Sequence, residues 1–269
     1  MKKPALSGAL LDLHTDILPC LRVQNCVYGP FDYPFLQAQI QAAHARRVLD
    51  VGTADGSFLR ELARQLSEVL FHGIDANGAL VQHGRRQAAR ASAGNITITD
   101  GFFDHRFSTT RYDLIMARFA IEHVPDVKNF LAAVAARLRS RGRVAIVEYY
   151  VEIAGIEDPT WREFRARELR LYRKIHSHPQ LAFQLPSLLA DVGFTNVQTS
   201  LHVVSPSTVG WKQFAALVGV YTSTYATIDR RLWSPPFVKK IQAWLRSGHH
   251  VSSRREPSFL ISHTAARKK

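Results

Sequence analysis

The stretch from Arg46 to Gly56, RRVLDVGTADG, constrains this chain more than any other. Val48, Leu49 and Val51 form a short apolar run of the kind a strand shows when both faces of a parallel sheet cover it. Gly52-Thr53-Ala54-Asp55-Gly56 then predicts a tight turn of small residues, and Ser57 to Leu66 predicts a helix with Phe58, Leu62, Ala63 and Leu66 on one face. Gly52 and Gly56 tolerate positive φ and carry no Cβ, so a ligand can approach the turn backbone and the N–H groups at the helix start. Asp50, at the strand end, is placed to hold the turn or a ligand cation.

The alternation of strand and helix continues along the chain. Val69–Asp75, Asn95–Thr99, Tyr112–Ala117, Gly142–Tyr149, Phe194–Val204 and Ser258–Ala265 read as six further strands. Helices are expected over Ala79–Ala93, Val127–Leu138, Leu185–Val192 and most of Pro206–Ser247, and another after Asp158-Pro159, an N-cap and first-turn pair. Leu6–Leu13 and Pro34–His44 also read as helical. Asn25–Pro34 between them reads as a loop rich in aromatic and turn residues, and Arg267-Lys268-Lys269 as a free tail.

A dinucleotide fingerprint would need G-x-G-x-x-G after the first strand, but counted from Gly52 its later glycine places hold Ala54 and Ser57. The turn instead resembles the D-x-G-x-G-x-G turn of class I S-adenosylmethionine (SAM)-dependent methyltransferases, with Ala54 in place of the middle glycine. The block Arg118-Phe119-Ala120-Ile121-Glu122-His123-Val124-Pro125-Asp126 is similar to the small-molecule branch of that family, which includes ubiquinone/menaquinone-type methyltransferases. The resemblance implies an α/β, Rossmann-like fold: seven strands, mostly parallel with the last antiparallel, and helices on both faces. It implies a single methyltransferase domain over 1–269, with an N-terminal helical cover (1–45), a SAM-binding core (46–150), a helical lid insertion (151–184) and a C-terminal part (185–269) that completes the sheet and carries a basic helical segment.

On the same resemblance the cofactor is SAM, held by Asp50, Gly52, Thr53, Ala54 and Gly56, by Asp75 and Ala76, by Asp100, Gly101 and Phe102, by Arg118 and Phe119, and by Tyr28 of the cover. Asp75 follows Asp55 by one helix and one strand, about 20 residues, the spacing of an acid that accepts two hydrogen bonds from a ribose diol. Asp104 competes with Asp100, and Phe103 with Phe102, for the adenine. Tyr33, Tyr149, Tyr150, Trp161 and Arg165 are expected to shape the acceptor pocket, with Tyr28 and Tyr33 as gate residues. His123 and Glu168 are the candidate general bases. For His123 the alternative is a cap on the next helix. For Glu168, on the stripe Trp161, Phe164, Leu171 and Ile175, it is an ion pair with Arg165 one turn back.

Charge and cysteine usage bound the remaining classes. The net charge of +13 is uneven: residues 205–269 carry eleven Lys/Arg against Asp229 and Glu256, a net of +9. That quarter suits an acidic substrate, an acidic carrier protein, nucleic acid, or simply a solvated surface. Its aromatics Trp211, Phe214, Tyr221 and Tyr225 fall at packing spacings, so specific nucleic-acid binding is not expected. No run of about 20 apolar residues is present, so no membrane span is expected. Cys20 and Cys26 form neither a zinc pair nor a C-x-x-C, and His249-His250 stand too isolated for a metal site; no metal and a cytoplasmic location are the expectations. The function expected is methyl transfer from SAM to a small-molecule acceptor in biosynthesis or secondary metabolism, with a homodimer as the assembly considered. An RNA-directed methyltransferase and a non-catalytic SAM-fold binding module are the rivals.

Overall fold

Seven strands make one sheet in the order β3-β2-β1-β4-β5-β7-β6, six of them parallel and β7 antiparallel. They are β1 (Arg47–Val51), β2 (Leu70–Asp75), β3 (Ile96–Asp100), β4 (Tyr112–Arg118), β5 (Leu138–Tyr150), β6 (Phe194–Val204) and β7 (Phe259–Lys268). The helices are α1 (Leu18–Ala42), α2 (Ser57–Gln65), α3 (Gly78–Arg90), α4 (Val127–Arg137), α5 (Pro159–Lys174), α6 (Leu181–Asp191), α7 (Pro206–Val209), α8 (Trp211–Ile228) and α9 (Pro235–Ser247). This computed structural model describes residues 12–151, 156–248 and 256–269. Residues 6–11 of the first expected helix, His249-His250 and Arg254-Arg255 lie outside the described residues.

The chain divides into two compact units. One comprises Phe31–Glu148, Leu181–Ser200 and Ser262–Lys269, and the other Met1–Pro30, Tyr149–Gln180 and Leu201–Ile261. In the first, side chains alternate across the central strands and build two cores. Leu49, Ile115, Ala117, Val144 and Ile146 meet α4 and α6 through Leu131, Val134, Leu185 and Leu189. Val48, Leu114, Met116 and Ala145 meet α1 and α2 through Leu36, Ile40, Phe58, Leu59 and Leu62. The parallel register runs Val51↔Ile74 and Val51↔Ala117, so β1, β2 and β4 end side by side.

The second unit is an aromatic cluster on helices. Trp161 stacks on Phe164 with centroids 4.9 Å apart and on Trp244 at 5.8 Å, and Phe214, Trp233 and Phe259 pack into the same cluster. Asp158 caps α5 through the Trp161 amide at 2.7 Å and also accepts from Trp244 Nε1 at 3.0 Å.

Two expectations are corrected. The loop expected over Asn25–Pro34 is helical and belongs to α1. Asp32, Leu36 and Ile40 repeat every four residues and are all buried, and that burial outweighs the local turn signals of Gly29, Pro30 and Pro34. The tail is not free either: Arg267 and Lys268 belong to β7, and Lys268 Nζ donates to the carbonyls of Ala135 (2.7 Å) and Leu138 (3.0 Å), which terminate α4.

Candidate active site

In an open parallel sheet, ligands bind outside the carboxyl ends of the strands where the order reverses, here between β1 and β4. The glycine turn stands at that point. The amides of Gly52 and Thr53 both donate to the Ile74 carbonyl, at 2.8 and 3.1 Å, and the Gly56 amide closes the turn on the Thr53 carbonyl at 2.8 Å. Gly52 (φ 78°), Ala54 (52°) and Gly56 (64°) all take left-handed backbone. Ala54 therefore holds the conformation for which the related turns use glycine, at a cost of about 1–2 kcal/mol. A Cβ on Gly52 would lie 2.5 Å from the Ala120 Cβ, so that position has no room for a side chain, while one on Gly56 would lie 2.6 Å from Ile98 Cδ1 and displace the end of that side chain. Gly84 on α3, which carries no signal in the local sequence, has the same role: its Cβ would lie 2.6 Å from the Asp55 carbonyl oxygen.

Asp75 locks the turn from β2. Its Oδ2 accepts from the Ala54 amide and its Oδ1 from the Asn77 amide, both at 2.8 Å. A carboxylate offers about four acceptor positions, so two remain for a diol. Burial, with help from neighbouring Asp100, holds the Asp75 carboxyl above its usual range, and the two amides pull against that. Asp100, paired with Asp75 in the β2–β3 register, is exposed and lies beside the start of α3, its Oδ2 3.0 Å from where a Gly78 Cβ would stand. Asp104 is engaged in its own turn, accepting from the Arg106 amide at 2.8 Å and from Arg106 Nη2 at 2.7 Å. Ala76 follows Asp75 directly, and Gly101 donates to the Asp75 carbonyl at 2.9 Å. Phe102 is 41% exposed, whereas Phe103 packs on Phe107 and Phe130 in the core.

Asp50, at the end of β1, is 4% exposed. Burial pushes its carboxyl up to about 6, with the charge of Arg118 pulling the other way. This folded value lies above the ordinary unfolded value near 3.9, so between the two the native state binds the extra proton. Stability is therefore expected to fall as pH rises from about 4 to about 6. Urea titrations of wild type and Asp50→Asn across that window check it: the variant should lose most of this slope.

Beyond β4 the backbone turns sharply and is held by hydrogen bonds to β5. Phe119 sits at φ 51°, an unusual conformation for an aromatic residue, and its amide donates to the Val147 carbonyl at 2.8 Å. The Arg118 guanidinium lies 4.4 Å from the Phe58 ring centroid and 4.7 Å from that of Phe119, while Tyr33 stacks on Phe58 at 4.3 Å. Glu148, a fully buried carboxylate at the end of β5, accepts the amides of Ala120 (3.2 Å) and Ile121 (2.7 Å) and so fixes the short 3-10 turn Ile121–His123. Sequence reading gave Glu148 no role. His123 is partly exposed, with Nε2 3.4 Å from Glu122 Oε1. It does not cap α4: Asp126 does, accepting the Asn129 amide at 2.9 Å.

The remaining expected residues belong to the other unit. Arg165 and Glu168 form an ion pair that is 1% and 0% exposed. Glu168 Oε1 accepts from the hydroxyls of Tyr225 (2.7 Å) and Tyr149 (3.4 Å), and Arg165 donates to the Tyr150 carbonyl at 3.0 Å. Tyr28 is fully buried with its hydroxyl 3.2 Å from that of Tyr221. Burial raises the Tyr28, Tyr149, Tyr221 and Tyr225 hydroxyls well above 10 and raises Glu168, against which Arg165 pulls. Among the described residues no group of three or more His, Cys, Asp or Glu could hold a metal, and no helix is long and apolar enough to cross a membrane.

Residues 31–199, which include the glycine turn and the strand-end carboxylates, match a family model described as a methyltransferase domain. The chain belongs to the class I SAM-dependent methyltransferases. It is 34% identical over 182 residues to the ubiquinone/menaquinone biosynthesis C-methyltransferase of Geotalea daltonii, covering 61% of this chain and 77% of that protein. It is 27% identical over 161 residues to the uncharacterized methyltransferase YcgJ of Bacillus subtilis, covering 55% of this chain but only 60% of that relative's length. The YcgJ crystal structure superposes with a TM-score of 0.56 at 19% identity, covering 88% of this chain and 99% of that one. A Haemonchus contortus phosphoethanolamine N-methyltransferase 2, solved with phosphomonomethylethanolamine and S-adenosylhomocysteine, superposes with a TM-score of 0.59 at 15% identity, covering 92% of this chain and 56% of that one.

Proposed function

We propose that this methyltransferase acts on a small-molecule acceptor in a biosynthetic route, in the cytoplasm, with residues 151–184 serving as a lid. The observation that carries the reading is the Asp75 carboxylate, which braces the glycine turn through Ala54 and keeps acceptor capacity for a diol. SAM supplies a methyl group on a sulfonium, and the sulfur leaves as a neutral thioether that needs no proton. The chain's own residues bind, orient and exclude water, which supply much of the acceleration in such a displacement. Asp75 takes the ribose hydroxyls, the exposed Asp100 and Phe102 take the adenine, and Asp50 takes the ammonium of the amino-acid tail. His123, on the turn fixed by Glu148, accepts the proton when the acceptor is a hydroxyl.

The relatives' names support a small acceptor, and the C-terminal aromatics support the same reading. Phe214, Tyr221 and Trp244 are buried and packed, so they offer no stacking platform for bases. Incubation with methyl-labelled SAM and cell extract tests it: label is expected in the small-molecule fraction, and label confined to RNA would overturn it. For the cofactor site, Asp75→Ala is expected to weaken SAM binding by about 1.5–3 kcal/mol, the worth of hydrogen bonds to a charged group. Calorimetry decides this, and unchanged affinity in a folded variant would move the ribose site elsewhere.

A further inference from the structure

Asp32 is fully buried on α1, and neither the glycine turn nor the strand ends call for it. Its Oδ2 accepts from Arg118 Nε at 2.6 Å, and its Oδ1 lies 2.8 Å from Nε2 of His263 on β7. The His263 side chain is 1% exposed, and its ring stacks on Phe35, one turn along α1 from Asp32, with centroids 4.5 Å apart. Removing one member of a buried cluster of this kind strands the charge of the next in a dry interior, so each member holds its neighbour in place. The geometry fixed here is that of Arg118. Gripped at Nε and flanked by the Phe58 and Phe119 rings, the planar guanidinium has little freedom to rotate.

Arg118 ends β4 and Asp50 lies near the end of the neighbouring β1, close enough for the charge of one to act on the other. A cation and a carboxylate at adjacent strand ends complement the zwitterion of an amino acid, and SAM carries one. We infer that the Arg118 guanidinium receives the carboxylate of the SAM amino-acid tail, and that Asp32 and His263 are positioning residues that hold it there. The inference rests on SAM as the cofactor.

The test is calorimetry with two probes, S-adenosylhomocysteine and its decarboxylated analogue, on wild type and Asp32→Asn. Wild type is expected to prefer S-adenosylhomocysteine by about tenfold or more, as a hydrogen-bonded charge pair would give. Asp32→Asn should remove most of that preference by weakening S-adenosylhomocysteine alone, with the analogue bound as before. An equal loss for both ligands would reduce Asp32 to a packing residue, and an unchanged preference would overturn the clasp. Should Asp32→Asn not fold, His263→Gln removes the other arm and must shift the preference in the same direction for the inference to stand. A wild type that binds S-adenosylhomocysteine without preferring it to the analogue removes Arg118 from the carboxylate, whereas one that binds neither counts against the cofactor itself.

Discussion

Replacing Arg165 by methionine is expected to lower stability by about 3–5 kcal/mol, because it strands the Glu168 carboxylate in a dry interior. Glu168 is 0% exposed and its partners within the unit are Arg165, Tyr149 and Tyr225. The paired variant Arg165→Met/Glu168→Leu should recover part of the loss, since no buried charge is then left unpaired, while the Tyr149 and Tyr225 hydroxyls and the Tyr150 carbonyl lose the partners that the pair supplied. Urea denaturation of the singles and the double measures the coupling. The same set decides what Glu168 does. A Glu168→Gln variant that unfolds more easily but turns over normally makes the pair architectural. One that keeps wild-type stability and loses turnover by about 10²-fold or more makes Glu168 the general base.

The pair also shows what the sequence could carry. Arg165 and Glu168 are three residues apart on one helix, so their ion pair is readable from spacing. That Tyr149 and Tyr225 supply hydroxyls to the same carboxylate is not, because they arrive from β5 and α8. The same division holds in the cofactor region. β1, its turn and α2 are legible because a strand buried on both faces must be continuously apolar and a turn of this tightness must be glycine-rich. Asp75 is legible as a strand-end acid, yet its bond to the Ala54 amide depends on how two strands align across 21 positions. Asp32 escaped notice because its partners stand 86 and 231 positions away and the prolines around it signal a loop. Glu148 escaped because an acid at the end of an apolar strand looks like a solvent-facing end residue until the post-β4 turn is folded over it.

Removal of the His123 imidazole is expected to lower turnover by about 10²–10⁴-fold while SAM affinity stays within about threefold of wild type, the pattern of a lost general base. The expectation follows from the backbone. β4 ends beside the glycine turn, Phe119 takes a strained left-handed turn, and Glu148 holds the next two amides, so that His123 is delivered at a fixed distance from the strand end. Asp126 already caps α4, which leaves His123 no capping work there. Single-turnover kinetics with saturating SAM on His123→Ala measure the chemical step, and added imidazole should restore part of it if the missing group is a base. Loss of SAM binding with an unchanged chemical step would instead make His123 a cofactor residue. Less than about a tenfold loss would point to an acceptor that brings its own lone pair, such as an amine, for which the chain needs only to orient and dehydrate the partners.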